Sequence, residues 1–327
     1  MQKSKNNTVK QADKLSQTSL SIDTYISAAT RDNTRKSYQS AVVHFEHTWG
    51  GFLPATADSI AEYLAFYAAK LAHSTLKQRL AALSVWHKEQ GFPDPTKATH
   101  VKKVLKGIGE LHPYKAKQAK PLQLDYIQTI IAHITHQLEK HQGNRNKLVR
   151  DKALILLGFW RAFRSDEITR LHIEDIHNHP NQGLEIHLQR SKSDRTSSGR
   201  TFRVPALSTL CPVQAYDDWL YVLNKKQGAV FCSINRWGHI GDTPIQASSV
   251  MHIIQGYCKN VGIEDAHLFT SHSLRRGFAN WANSHQWDVT ALMKYVGWKD
   301  IHSAMRYIDQ PDPFSQQHIE KGLQQLK

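Results

Sequence analysis

Four short segments, far apart in the chain, carry side chains that together suit metal-free attack on a phosphodiester. In order they are RAFRSDEITRL with Arg164, LQRSKSD with Lys192, SHSLRRG with His272 and Arg275, and VGWKDIHSAMRYI with Trp298 and Tyr307. A guanidinium suits phosphate because its planar fork of donors can hold two non-bridging oxygens at once. A tyrosine hydroxyl is a possible nucleophile, but a phenol with a pKa near ~10 needs adjacent cations and a proton acceptor at neutral pH. An imidazole can take that proton and an ammonium can return one to a leaving group. An indole N–H can donate to a phosphate oxygen but cannot shuttle protons, and guanidiniums such as Arg190 and Arg195 are poor proton donors.

Each of these residues also has a plainer reading. Arg164 with Glu167 or Asp166 is the pattern of a surface ion pair, and Arg161, three residues earlier, is a rival for the same place. His272 and Arg275 are three apart and project from one face of a helical turn, a spacing common by chance. Tyr295 in LMKYVGW falls beside Leu292 and Val296 on a helical pattern, where burial accounts for it. A core position would account equally for Trp298, and a solvated loop for Lys192.

Taken in order, the segments resemble the tyrosine recombinases, the phage-integrase family, and among them the Cre-like members most closely. In that resemblance Arg164 is the first-box arginine, with an acid three residues on and apolar positions after it. Glu167 orients the arginines or the histidine. HSLRRG supplies His272 and Arg275, and GWxxxxxAMxYI supplies Trp298 and the nucleophile Tyr307. Lys192, after a first strand, becomes the general acid. The resemblance implies cleavage and rejoining of double-stranded DNA through a 3′-phosphotyrosine, with neither metal nor ATP nor any other cofactor. It further implies a protein that is a monomer free in solution and a homotetramer on two duplexes, passing through a Holliday junction. A non-catalytic DNA-binding regulator on the same fold and a type IB topoisomerase-like relaxing enzyme are the competing readings. Covalent capture of DNA separates the regulator from the enzymes.

The elements that must position these groups read as mainly α, in two domains. The expected division is a disordered arm over 1–20, a helical core-binding (SAM-like) domain over 21–112, a basic linker over 113–121 and a catalytic domain over 122–327. The last is α-rich with a small antiparallel β-sheet and ends in a tail helix. Tyr38, Ala41, Val42, Phe45 and Trp49 recur at helical spacing until Gly50-Gly51. Helices follow from about Asp58, from a cap at Ser74, and through Val101, Val104, Leu105 and Ile108. Their polar faces offer Arg35, Lys36, Lys77, Arg79, Lys102, Lys103 and Lys106 as DNA contacts, with Arg276 as a further one in the second domain. HPYKAKQAKPLQL reads as an exposed linker. Helices at about 123–140 and 145–160 open the second domain. Leu184–Leu188 and Thr201–Val204 then alternate as strands around the polar loop SKSDRTSSGR. After Pro205 the pattern returns to helix. Phe314, Ile319, Leu323 and Leu326 make the tail amphipathic.

Bulk composition fits a nucleic-acid partner. Among 327 residues, 42 Lys+Arg against 28 Asp+Glu give a net charge of +14, the sign expected for salt-sensitive binding to a polyanion. Three cysteines without a C-x-x-C pair argue against a disulfide framework or a zinc ribbon. Neither a bilayer-spanning apolar run nor a secretory signal is evident, so a cytoplasmic, nucleoid-associated protein is expected.

Overall fold

A computed structural model of the protein describes residues 21–113, 118–189 and 199–308. The chain separates into two compact units, residues 1–117 and 118–327.

The described part of the first unit is built of helices α1 (Ile22–Ala29), α2 (Asp32–Val43), α3 (Ala57–Phe66), α4 (His73–Glu89) and α5 (Thr99–Leu111). α2 runs on into a π-helical turn over His44–Thr48 before the glycine pair ends it. Ser74 lies inside the first turn of α4 and does not cap it; Ala72 stands at the helix head. α2 packs on α4 and α3 on α5. Phe45, Ile60, Tyr63, Leu64, Leu76, Leu83 and Val101, all fully buried, form the core between them. These are the helical-period apolar positions of the sequence, and their burial is what fixes which faces meet.

In the second unit α6 (Leu124–Glu139) and α7 (Arg145–Trp160) lead to a one-turn helix, α8 (Ser165–Ile168). α7 is buried along nearly its whole length from Leu148 to Phe159; its second half is apolar on every side, and its first half buries the Arg150–Asp151 ion pair, 2.7 Å apart. It packs on α6, on α9 (Pro212–Leu223) and on α11 (Ser273–Ser284). Gly158 permits the last contact, because a Cβ there would lie 2.8 Å from Leu274 Cδ1.

Strands β1 (Ile176–His179), β2 (Gly183–Leu188) and β3 (Arg200–Pro205) form an antiparallel sheet in that order. Leu184 pairs with Val204 and Ile186 with Phe202, which puts the apolar residues of both strands on the core face. A second, two-stranded sheet, β4 (Cys232–Ile234) with β5 (Ile240–Pro244), interrupts the stretch read from sequence as uniformly helical. The remaining helices are α10 (Ala247–Asn260), α12 (Val289–Val296) and α13 (Ile301–Met305). Lys192 and the tail from residue 309 lie outside the described residues.

Candidate active site

The two arginines are set by a single turn. α7 ends at Trp160, with Arg161 as its C-cap; Ala162 then takes a left-handed φ of 51° and turns the chain, and Arg164 stands at the head of α8. The carboxylate of Glu167 accepts the Arg164 main-chain N–H at 2.9 Å and its Nη1 at 2.6 Å. Arg164 itself is half-buried, whereas Glu167 is 4 % exposed.

Arg275, in the first turn of α11, is 1 % exposed, and its Nη1 donates to the Ala162 carbonyl at 2.6 Å. The same nitrogen is 3.7 Å from Glu167 Oε2. Its Nε and Nη2 are buried and meet no acceptor among the described residues. Buried donors are normally paired, so this guanidinium holds two hydrogen bonds in reserve for an anionic guest. Burial, reinforced by the neighbouring Arg164, pulls its pKa down to about 10. It is therefore still charged at neutral pH.

His272 sits at the N-terminal end of α11, where its main-chain N–H donates to Thr270 Oγ1 at 3.1 Å and Ser273 Oγ accepts the Thr270 N–H at 2.8 Å. Its Nδ1 is 3.3 Å from the Tyr307 hydroxyl. Tyr307 follows α13, whose head is capped by Asp300 accepting the Ser303 N–H at 2.8 Å.

Trp298 reaches the site through a glycine turn. Gly297 adopts φ 84° at the end of α12, and both its N–H and that of Trp298 bond back to the Met293 carbonyl, at 2.8 and 3.0 Å. The Trp298 ring is then stacked on Tyr307, centroids 5.4 Å apart and 26° from parallel. The Arg275 guanidinium lies 5.1 Å from the indole and 5.4 Å from the phenol ring. The indole Nε1 is buried with no acceptor among the described residues. One cluster thus gathers Arg164, Glu167, His272, Arg275, Trp298 and Tyr307.

Tyr295 is elsewhere. Its hydroxyl donates to the Trp160 carbonyl at 2.8 Å, and burial raises its pKa. The Arg161 guanidinium lies over the rings of Phe202 and Tyr295, 4.4 and 4.3 Å from their centroids. Arg276, expected as a DNA contact, is 6 % exposed and its guanidinium bonds to the Gln118 side chain. In the first unit Arg35, Lys36, Lys77, Lys102, Lys103 and Lys106 are exposed, while Arg79 is half-buried and donates to the Tyr63 hydroxyl at 2.9 Å. The role of the Ala162 carbonyl as an acceptor for Arg275 had no sequence signal, since any residue could supply it.

Residues 122–312 match the phage integrase family. An integrase/recombinase xerD homolog of Selenomonas ruminantium is 31% identical over 293 residues, covering 86% of this chain and 83% of that protein. Recombinase cre of Escherichia phage P1 is 22% identical over 316 residues, covering 86% and 90%. The fold is also that of the Tn1549 transposon integrase solved with circular intermediate DNA, at TM-score 0.60 and 17% identity over 91% of this chain and 95% of that one. A lambda integrase dimer bound to a COC′ core site gives 0.59 and 16%, over 90% and 77%.

Proposed function

This chain belongs to the phage integrase family and is a tyrosine-type site-specific DNA recombinase, and we propose that Tyr307 is the nucleophile that cuts the DNA. Its hydroxyl oxygen attacks the scissile phosphorus, the bond to the 5′ oxygen breaks, and a 3′-phosphotyrosine is left with a free 5′-hydroxyl. His272 takes the phenol proton, as their 3.3 Å separation allows. Lys192 gives a proton to the departing 5′ oxygen. Arg164, Arg275 and Trp298 donate to the non-bridging oxygens, where charge grows in the transition state. Glu167 holds the two arginines. A 5′-hydroxyl from the partner strand reverses the step, and the covalent link conserves the phosphodiester's energy, so no cofactor is consumed.

The observation that carries this reading is the convergence on one phenol of an imidazole, a guanidinium with two free donors and an indole with a free N–H. Each free donor is a hydrogen bond waiting for a phosphate oxygen. Exposed lysines and arginines of the first unit supply backbone contacts to duplex DNA. On two duplexes the protein works as a homotetramer through a Holliday junction, and in the cell it resides on the nucleoid.

The test is covalent capture. Nicked duplex fragments tiling the DNA beside the protein's own gene are incubated with it in EDTA and run on denaturing gels. An adduct with wild type, absent with Tyr307→Phe although the duplex is still bound, is expected. An adduct persisting in Tyr307→Phe would overturn the nucleophile; specific binding without any adduct would make the protein a DNA-binding regulator.

A further inference from the structure

Arg161 is a buried cation that the cleavage chemistry does not use. It is 4 % exposed, and its guanidinium lies between two rings, 4.4 Å from the centroid of Phe202 on β3 and 4.3 Å from that of Tyr295 on α12. Its Nε and Nη1 meet no acceptor among the described residues, while the guanidinium also hydrogen-bonds to the Tyr295 side chain. Burial pulls its pKa down to about 10, which reflects the cost of keeping the charge there. A leucine or methionine would fill the same space without that desolvation cost. What an apolar side chain would not supply is the directional grip of a cation on two aromatic faces.

That grip falls on the turn that builds the site. Arg161 closes α7; Ala162, the next residue, offers its carbonyl to Arg275, and Arg164 comes two residues later. Tyr295 is tied to the same turn from the other side by its hydrogen bond to Trp160, and it lies three residues before Trp298. Phe202 also packs edge-on against Phe163, at 5.6 Å, within the turn itself. Three elements, α7, β3 and α12, thus meet at one guanidinium.

Resting on the reading of Tyr307 as nucleophile, we infer that Arg161 is a positioning residue of the cleavage reaction: held between Phe202 and Tyr295, it locks the turn that aims Arg164 and receives Arg275. Loss of the charge loosens the turn while leaving the DNA-contacting surfaces in place. Sub-ångström to ångström displacement of phosphate ligands costs on the order of 100-fold in rate.

The experiment uses the full chain and the nicked duplex that gives an adduct with wild type. Single-turnover adduct formation and duplex affinity are measured for Arg161→Met, Arg161→Lys, Phe202→Leu and the Arg161→Met/Phe202→Leu double variant. Arg161→Met should cleave about 100-fold more slowly with affinity unchanged, and Arg161→Lys should recover most of the rate because it restores the cation. Phe202→Leu should lose less, and add nothing once the charge is gone, since the two act through one contact. Wild-type cleavage by Arg161→Met, equal loss of binding and cleavage, failure of lysine to rescue, or additive effects would each overturn the inference. Should Arg161→Met melt at working temperature, Phe202→Leu decides alone: slowed cleavage with normal affinity supports the role, and wild-type cleavage ends it. Tyr307→Phe runs on the same gel, so an adduct surviving there would sink the nucleophile and not the positioning role.

Discussion

Glu167 grips Arg164 at both ends of the residue, its Oε2 accepting the main-chain N–H at 2.9 Å and its Oε1 accepting Nη1 at 2.6 Å. The same carboxylate stands 3.7 Å from Nη1 of Arg275. One nearly buried anion therefore sets the spacing of two cations that would otherwise repel each other.

Glu167→Ala removes that spacing, and cleavage should fall by about 100-fold, the scale of losing a preorganised donor. Glu167→Gln retains one acceptor and should lose less than Glu167→Ala. Affinity for the same duplex should hold or rise, because a negative charge has gone. Single-turnover cleavage alongside equilibrium binding checks this, and a Glu167→Ala protein that cleaves normally would show that the arginines position themselves.

Trp298 contributes both a stack and a donor. Trp298→Phe keeps an aromatic face against Tyr307 and loses only the buried Nε1–H. Cleavage should drop by roughly 10- to 100-fold, a fraction of the loss expected for an oxyanion-type donor, with the melting temperature little changed. Trp298→Leu removes the stack as well and should be slower again. Equal rates for the two variants would mean that the ring's only contribution is the hydrogen bond.

How far the sequence could reach depends on the length scale of each signal. α7 was legible because ALILLGFW is apolar beyond any amphipathic pattern, and β2 and β3 because alternation in LEIHL and TFRV has period two. β4 and β5, three and five residues long, were not, since so short a run shows no period. The π-helical turn at His44–Thr48 was hidden because Phe45 and Trp49 fit α-helical spacing equally well. The resemblance joined the site residues into one set and chose Arg164 over Arg161 and Arg275 over Arg276. The left-handed turn at Ala162, which brings its carbonyl to Arg275, had no signal, because an alanine does not announce a φ of 51°.

Acid stability of the first unit should depend on Asp94. Burial alone would raise its pKa, but hydrogen bonds from Ser84, Thr96 and Lys88 outweigh burial and hold it at about 2. Ser84 Oγ and Thr96 Oγ1 each donate at 2.6 Å. A carboxyl depressed in the folded state stabilises above its unfolded value of 3.8 and loses that contribution as pH falls through 2. Wild type should therefore melt above Asp94→Asn at pH 7, with the gap narrowing below about pH 4 and closing near pH 2. Thermal melts of both full-length proteins across that range decide it. A gap independent of pH would assign the effect to packing.

The segment opening the second unit should be as sensitive as the site it lies beside. Lys120 N–H donates to the Leu268 carbonyl at 3.3 Å and Leu122 N–H to that of Ser273 at 3.0 Å, so residues 120–122 run along the stretch that carries His272. Gly277 allows this: a Cβ there would fall 1.8 Å from the Leu122 carbonyl oxygen and 2.6 Å from its carbon, both main-chain atoms with little freedom to yield. In an exposed helix, Gly→Ala would stabilise by about 1 kcal/mol. Here the overlap must push the backbone strap off α11, and overpacking typically costs about 1–3 kcal/mol, so the clash wins. Gly277→Ala should lower the melting temperature. It should also slow cleavage more than it weakens DNA binding, because the displaced strand of main chain braces the turn bearing His272. Melting curves and single-turnover cleavage of the same preparation test both halves. A Gly277→Ala protein that melts higher than wild type would mean that the strap moves without cost and does not brace the histidine.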